Sequence, residues 1–236
     1  MKPAIYKDNV EHKAFVKLAR KTDEFEVYSH AHAERIATLA DELGKVFNLA
    51  SKDRQSLRAA ALLHDLGEAS MGRDYLKRAG SLSDEERMDL ARHPVIGERE
   101  AANVGADRAA QLIIRWHHEW WNGGGYPDAL RRDQIPLAAR ILRVADSYAA
   151  ITDARPFRPA MSEGEARRHM VEWVGIEFDP KIVSALLSLG PITELESFAV
   201  SPTDAEIAVL LTDAHNESQQ GVSFDSAVGP DLRSQI

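Results

Sequence analysis

The chain has 236 residues, with 29 lysines and arginines against 37 aspartates and glutamates, nine histidines and no cysteine. A hydrophobic fraction of 44% and a charged fraction of 28% are typical of a folded globular protein, which excludes disordered and fibrous classes. Without cysteine there is no disulfide framework, thiolate zinc site or thiol nucleophile, so any metal must be held by histidines and carboxylates. The net charge of −8 argues against a protein that binds duplex nucleic acid.

Targeting signals are not evident in the sequence. No apolar stretch approaches the ~20 residues of a membrane span. The first residues also lack the apolar core of a secretion signal. We therefore expect a cytoplasmic chain that does not enter the membrane.

Apolar periodicity is helical nearly throughout and predicts an all-α bundle of the kind built from amphipathic helices. In 30–48, Ile36, Leu39 and Leu43 recur at three- and four-residue steps, which places them on one helix face. A second helix is expected from near Asp53 through His64. Further helices are predicted at about 8–20, 83–102, 106–118, 136–152, 162–172 and 179–188. Two segments rich in glycine and proline, 122–128 and 155–159, interrupt the bundle, and such excursions are often functional.

The composition divides the chain into three parts. We predict an N-terminal helical lead-in over 1–24, a helical domain over 25–190 and an acidic C-terminal extension over 191–236. The extension holds eight acidic residues against one basic residue, so it carries most of the net charge and leaves the helical domain nearly neutral. Its last part is polar and aperiodic, which indicates a partly disordered tail after one short helix near 203–214.

Histidines and aspartates in the helical segments share one chemistry. The candidate metal ligands are His32, His64, Asp65, His93, His117, His118 and Asp146. Imidazole and carboxylate suit Fe, Mn or Zn, and seven ligands exceed what one ion needs, which predicts a pair of ions. The adjacent pairs can serve or bridge two ions because neighbouring helix residues point about 100° apart. Two close ions can bind a bridging water, lower its pKa and hold phosphate oxygens, which points to attack on a phosphoester.

Several segments, in this order, resemble the successive signatures of the HD-GYP domain over roughly 25–190. They are His32-Ala-Glu-Arg-Ile, LLHDLG (62–67), RHPVIG (92–97), HHEWWNGGGYP (117–127), IPLAARILRVAD (135–146), RPFRPAM (155–161) and GIEFDP (175–180). The resemblance implies a helical bundle that hydrolyses cyclic di-GMP at a binuclear, sometimes trinuclear, iron or manganese centre. It implies that the seven residues above ligate metal and that Arg155 and Arg158 lie near substrate phosphate. It also implies that Gly125, Tyr126 and Pro127 carry part of the site and contact a signalling partner such as a diguanylate cyclase.

Four positions depart from the family pattern. Glu68 stands where the family usually has a lysine that contacts phosphate, and Ala149 stands where it often has a second aspartate. Tyr28 replaces the glutamate ligand of trinuclear members, which argues against a third ion, and Asn122 replaces the aspartate before the glycines. Three interpretations of Glu68 stay open: it cancels the role of the lysine, it acts as an extra ligand or general base, or it is a solvated residue past a helix end.

The leading hypothesis is a metal-dependent phosphodiesterase in which a metal-bridging hydroxide attacks a cyclic dinucleotide, most simply cyclic di-GMP. Asp65 and Glu68 are its candidate catalytic residues, with two divalent ions, Fe or Mn, as cofactors. The alternatives are a phosphohydrolase for another phosphoester, a catalytically weak signalling module and, least favoured, a diiron oxygenase. Either Arg140 or Arg143 pairs with a site carboxylate, or both form surface salt bridges.

Overall fold

The computed structural model describes residues 4–28, 31–78, 80–155 and 158–189. These residues form ten α-helices: α1 (Ala4–Phe25), α2 (His32–Val46), α3 (Ser51–Leu63), α4 (Leu66–Met71), α5 (Asp84–Leu90), α6 (His93–Asn103), α7 (Arg108–Trp116), α8 (Leu137–Thr152), α9 (Glu163–Glu172) and α10 (Pro180–Ser188). Short 3-10 turns occur at Asp74–Lys77 and Arg132–Gln134. In the described part of the chain, extended pairing is confined to two isolated bridges, so the predicted all-α fold is confirmed.

One apolar core runs through the bundle. Helix α8 is its centre, because twelve of its sixteen residues are buried. Helix α2 packs against α3 and α8, while α6 packs against α4 and α7. The fully buried side chains Ile36, Leu57, Ile114, Ile141 and Phe178 come from five different segments. Burying side chains of this size stabilises the bundle by about 1.5–3 kcal/mol each, and it fixes the relative positions of the helix ends.

The predicted helix over 83–102 is wrong as one element. The structure ends α5 at Leu90 and starts α6 at His93, with Ala91 and Arg92 between them. Pro94 lies in the first turn of α6. Proline has no N–H to donate and disfavours helical geometry in the residue before it, so it is accommodated at a helix start and not inside a longer helix.

The helix predicted from near Asp53 through His64 corresponds to α3, and its end differs by one residue. Helix α3 ends at Leu63, His64 caps it, and Asp65 adopts φ −98° and ψ 14° before α4 begins. His117 similarly caps α7. The HD and HH pairs therefore lie at helix ends and not within one helix.

Among the helices of the described residues, none is long and apolar enough to cross a membrane. Residues 190–236 fall outside that part of the chain, and with them the expected helix near 203–214 and the acidic tail.

Candidate metal centre

All seven predicted ligands meet at one place inside the bundle, and all seven are buried. They form two sets, and within each set the ligand atoms lie within 4.8 Å of one another. We call these the His32 group, with His32, His64 and Asp146, and the His93 group, with Asp65, His93, His117 and His118. His32 and His93 are the first residues of α2 and α6. The helix ends thus supply ligands that are far apart in sequence.

The Asp65 carboxylate lies between the two groups. Its Oδ1 is 3.4 Å from Nε2 of His93 and 3.8 Å from Nε2 of His117. Its Oδ2 is 2.8 Å from Nε2 of His64, which is itself 3.7 Å from Oδ1 of Asp146. One carboxylate thus faces both groups, which is the arrangement of a bridging ligand.

The histidine tautomers test whether a metal suits these donors. Nδ1 of His64, His93 and His117 lies 2.6–2.9 Å from the carbonyl oxygens of Ala61, Leu90 and Ile114, respectively. A carbonyl only accepts, so each Nδ1 carries the proton and donates it. Each Nε2 in a neutral ring then presents a lone pair to the centre, which is the form that binds metal.

These lone pairs face each other at short range. Nε2 of His93 is 3.3 Å from Nε2 of His117. Oδ1 of Asp65 is buried and has no hydrogen-bond partner among the described residues. Several acceptors directed at one point repel each other unless a cation lies between them, so the residues present fit a metal ion.

The charges within the centre agree with this reading. Burial lowers the pKa of His93 to about 3, so its ring is neutral near pH 7. Burial also opposes charge on His64, but attraction and a hydrogen bond to Asp65 outweigh it and raise the pKa of His64 to about 10. The Asp65 carboxylate therefore attracts positive charge to the point where the groups meet.

His32 is held from two sides. Its Nδ1 lies 2.8 Å from Oδ2 of Asp153, which is also paired with Arg35. The Tyr28 ring stacks on the His32 ring with centroids 3.7 Å apart and planes at 13°. The carboxylate fixes the tautomer of His32 and the stacked ring fixes its plane.

Glu68 lies in α4 and is buried, so the interpretation of a solvated residue is wrong. Its Oε1 is 3.8 Å from Nδ1 of His93 and has no hydrogen-bond partner in the part of the chain that the structure describes. Burial and the nearby Asp65 raise the pKa of Glu68 well above its usual value. Gly67 makes this packing possible, because a Cβ there would meet the His93 carbonyl oxygen at 2.1 Å.

Arg155 is buried beside the centre. Its guanidinium lies 3.9 Å from the Tyr28 ring centroid, and Nη2 is 3.5 Å from Oε2 of Glu26. Its Nε and Nη2 have no hydrogen-bond partner within the described ranges. A buried guanidinium with unused donors fits an anionic ligand such as phosphate. Arg158 pairs with Arg155 through the main chain and donates from Nη2 to the Ala150 carbonyl.

The GYP turn forms one wall of the centre. A Cβ at Gly125 would lie 2.4 Å from the His118 carbonyl oxygen, so the turn packs too closely for any other residue. The Tyr126 ring stacks on His118 with centroids 4.9 Å apart, and its peptide bond to Pro127 is cis. Glu119 anchors the turn, since its carboxylate accepts main-chain N–H groups of the residues that follow.

Several residues in or next to the candidate centre were not assigned from the sequence. Asp153, Glu26 and Glu177 were not singled out, and the choice between Arg140 and Arg143 stayed open. The structure decides it: Arg143 lies 3.6 Å from Asp146, whereas Arg140 pairs with Asp179, which is not one of the candidate ligands. Glu119, which anchors the GYP turn, could have been singled out from the sequence because it directly follows the HH pair.

Comparisons with known proteins agree with this geometry. The family model of the HD domain matches residues 13–182. The cyclic di-GMP phosphodiesterase response regulator RpfG of Xanthomonas campestris is 34% identical over 180 residues, covering 75% of this chain and 47% of the relative. The 3'3'-cGAMP-specific phosphodiesterase 2 of Vibrio cholerae is 31% identical over 160 residues, covering 66% of this chain and 30% of the relative. The chain thus spans about half or less of the length of these curated relatives.

Two solved structures share the fold. Bd1817, an HDG"Y"P protein from Bdellovibrio bacteriovorus, superposes with a TM-score of 0.54 at 26% identity, over 66% of this chain and 50% of that one. The cyclic GMP-AMP specific phosphodiesterase V-cGAP3 of V. cholerae superposes with a TM-score of 0.61 at 18% identity, over 86% and 58%. The resemblance to HD-GYP proteins is confirmed, and the chain belongs to the HD domain family.

Proposed function

We propose that this chain is a metal-dependent phosphodiesterase that hydrolyses a cyclic dinucleotide, with cyclic di-GMP as the first candidate. The observation that carries the proposal is a buried two-sided ligand set, with Asp65 facing both groups, beside a buried arginine that has unused donors. Relatives named as cyclic di-GMP and 3'3'-cGAMP phosphodiesterases support the substrate class.

The proposed ligands divide between two ions, with Fe or Mn the first metals to test. His32, His64 and Asp146 would hold one ion and the His93 group the other, with Asp65 reaching both. Bound divalent ions would supply Lewis acidity toward phosphate oxygens and toward water. Asp65 is the residue on which both sites depend, because each of its oxygens faces a different group.

The proposed role of Arg155 is to bind and orient the substrate phosphate. Its Nε and Nη2 are side by side on a planar group, which matches two phosphate oxygens. Tyr28 supports the guanidinium from one face and Glu26 from its edge. Arg158 would act from the same turn as a second cation.

The test is hydrolysis by the purified chain loaded anaerobically with Fe²⁺ or Mn²⁺. Cyclic di-GMP, 3'3'-cGAMP and bis(p-nitrophenyl) phosphate are compared, with products separated by chromatography and chelator-stripped chain as the matched control. We expect a cyclic dinucleotide to be cleaved to a linear product and the stripped chain to be inactive. Hydrolysis of the chromogenic ester without either cyclic dinucleotide would contradict the substrate class.

Glu68 is proposed to limit turnover, because a buried carboxyl group takes the place of a cation that would contact the substrate phosphate. Glu68→Lys is expected to raise cyclic di-GMP hydrolysis about tenfold, the value of one charge-assisted hydrogen bond. Glu68→Gln is the matched control, since it removes the ionisable carboxyl group without adding a cation, and a smaller gain is expected. A fall in rate for both variants would instead assign the carboxylate a direct catalytic role.

We further propose that a signalling partner, such as a diguanylate cyclase, docks beside the GYP turn. Pro127 lines a surface groove between α6 and α7 together with the exposed Val95. Tyr126 points the other way, into the centre. A titration of the chain with a purified cyclase, followed by calorimetry, tests this, and Pro127→Glu is expected to weaken the complex.

A further inference from the structure

A groove with an apolar lining lies on the surface between α6 and α7, outside the metal centre; we call it the α6–α7 groove. It encloses about 620 Å³, and its lining includes Val95, Ile96 and Ala102 of α6. Val95 and Ala102 are seven residues apart, which places them on one face of the helix. Val95 is 40% exposed, and Pro127 of the GYP turn lines the same groove. The bundle therefore leaves an apolar strip of α6 accessible at its surface.

Arginines give the α6–α7 groove a positive charge. Arg92, Arg99 and Arg108 line it against one carboxylate, that of Glu98. Their side chains are 64–70% exposed, and each is already paired with a carboxylate on the same surface. A guanidinium has five N–H donors, so such a pair leaves it able to bind a second carboxylate. The groove thus combines apolar contact with exposed positive charge.

A segment of the same chain has the complementary character. Residues 203–214 lie outside the described residues, and their sequence predicts one short helix. Four apolar residues at the spacing i, i+3, i+4 and i+7 would share one face of that helix: Ile207, Leu210, Leu211 and Ala214. At about 100° per residue, Asp204 falls on one flank of this face and Glu206 and Asp213 fall on the other. An apolar helix face between acidic flanks suits an apolar groove lined by arginines.

The chain is long enough to bring this segment to the groove. Helix α10 ends at Ser188, and residues 189–202 connect it to the segment; at about 3.3–3.6 Å per residue they span up to about 50 Å. Helix α10 packs against α8, and α8 packs against α7, which forms one side of the groove. Packed helices are about 8–10 Å apart, so α10 and α7 are separated by about 20 Å. The connection therefore exceeds the distance that it has to cover.

We propose that the acidic segment 203–214 docks in the α6–α7 groove of its own chain. Its apolar face contacts Val95 and Ile96, and its carboxylates pair with the arginines of the groove. Residues 191–236 hold eight acidic residues against one basic residue, so the charge of this part of the chain favours the contact. The docked segment covers the surface beside Pro127, where a signalling partner is proposed to bind. Segment and partner then exclude each other; this consequence rests on the proposed partner, whereas the docking itself does not.

The first experiment traps the contact as a disulfide in the full chain, which has no cysteine of its own. Ala214→Cys is combined with Ala102→Cys or with Ala91→Cys, because the two groove positions allow for both directions of the docked segment. The matched control combines Ala214→Cys with Ala160→Cys, since Ala160 is exposed and precedes α9, which packs against α8 and α10. Oxidation at low micromolar concentration is followed on non-reducing gels and by peptide mapping.

We expect one groove pair to form an intramolecular disulfide about tenfold faster than the control pair, because docking raises the local concentration of the two thiols. Equal rates for the groove pairs and the control pair would overturn the proposal. A disulfide-linked dimer as the main product of a groove pair would also overturn it, since the groove would then belong to a second copy of the chain.

The second experiment tests the charge. Arg99→Glu is added to the groove pair that forms the disulfide, and its 70% exposed side chain makes a folding defect an unlikely cause of any effect. We expect trapping to slow about fivefold, the size of one or two exposed ion pairs. Arg168→Glu is the matched control, because Arg168 is an exposed arginine of α9 and the net charge changes equally. Equal slowing by both variants would count against a specific contact with the groove.

The third experiment releases the segment and supplies it as a free peptide. Leu210→Asp/Leu211→Asp removes two apolar anchors from the full chain, and a synthetic peptide of residues 200–216 is titrated into variant and parent. We expect the variant to bind the peptide about tenfold more tightly, because in the parent the tethered segment competes at about millimolar effective concentration. Absence of binding to a variant with the parental melting temperature would overturn the proposal.

The same variant separates this proposal from that of the signalling partner. A purified diguanylate cyclase should bind the Leu210→Asp/Leu211→Asp chain more tightly than the parent, because the groove is no longer occupied. A cyclase that binds neither chain would contradict only the proposed partner, since disulfide trapping and peptide binding do not involve it. Should the double variant not fold, disulfide trapping in the full chain still decides whether the segment docks.

Discussion

The two ligand groups differ in what lies behind their histidines. In the His32 group, His32 is backed by the carboxylate of Asp153. In the His93 group, His93 and His117 are backed by neutral carbonyls and His118 by the cation Arg143. A carboxylate raises the basicity of an imidazole and a cation lowers it. Similar residue types thus form a stronger and a weaker donor set, and we expect the His32 group to bind its ion more tightly.

Asp65→Asn gives the largest effect, because it acts on both groups. The change keeps the shape of the side chain but removes the charge that faces His64 on one side and His93 on the other. Bound metal supplies several kcal/mol of transition-state stabilisation, so we expect turnover to fall roughly 10³-fold. Metal analysis should show both ions weakened. A variant that loses one ion and keeps the other at parental affinity would show that Asp65 does not serve both groups.

Asp153→Asn is expected to weaken metal binding at the His32 group only. The amide oxygen can still accept from Nδ1 of His32, but the negative charge is gone. We expect affinity at the His32 group to fall about 10–100-fold with little change at the His93 group. Calorimetric titration with Mn²⁺ measures the affinity of each of the two groups. Asp41→Asn is the control, because Asp41 also pairs with an arginine, Arg54, but contacts no centre histidine. An equal loss in the control would attribute the effect to general destabilisation.

Gly67→Ala acts on the His93 group through the backbone. The added Cβ would lie 2.1 Å from the His93 carbonyl oxygen and 2.8 Å from the Gly97 nitrogen, so α4 and α6 must separate. Overpacking of this kind costs about 1–3 kcal/mol, and we expect the melting temperature to fall by several degrees together with Mn²⁺ affinity at this group. Gly164→Ala is the matched control, since the nearest atom there is at 3.7 Å. If both variants melt with the parent chain, the close approach of α4 and α6 is not required.

The cluster of candidate ligands was predictable from sequence because histidine and aspartate are recognisable metal-binding residue types. His32, His64 and Asp146 needed no knowledge of the path of the chain, and the helical periodicity placed them in a bundle. The break between α5 and α6 was also within reach, because Pro94 follows a local rule. The same applies to Glu119, which lies next to the HH pair.

The groups behind the ligands could not be predicted, since they are set by contacts across the fold. Asp153 is 121 residues from His32 in sequence, and Arg143 is 25 residues from His118. An aspartate or arginine with no special spacing is most often a surface residue, so its type alone does not indicate a role. Burial and distance supply the information that composition and spacing lack.

Tyr28→Leu is expected to give the smallest effect, and it tests the side of the His32 group next to Arg155, the proposed phosphate-binding residue. The Tyr28 ring lies between the His32 ring, with centroids 3.7 Å apart, and the Arg155 guanidinium, 3.9 Å from the ring centroid, so it orients both the proposed metal ligand and the proposed phosphate-binding residue. A cation–π contact is worth about 1 kcal/mol, which predicts a KM for cyclic di-GMP raised about fivefold. Metal content should hold, because Asp153 still fixes the tautomer of His32.

Tyr28→Phe distinguishes the ring from the hydroxyl. The Tyr28 hydroxyl is buried and has no hydrogen-bond partner among the described residues, so its removal costs no contact seen there. We expect Tyr28→Phe to keep the parental KM while Tyr28→Leu does not, with kcat changed less than KM in both. If the two variants raised KM equally, the hydroxyl of Tyr28 and not its ring would be the group that supports substrate binding, and it would then contact the substrate. Because the hydroxyl would in that case be a donor beside Arg155, the same result would move the phosphate site toward α1 and away from the His93 group.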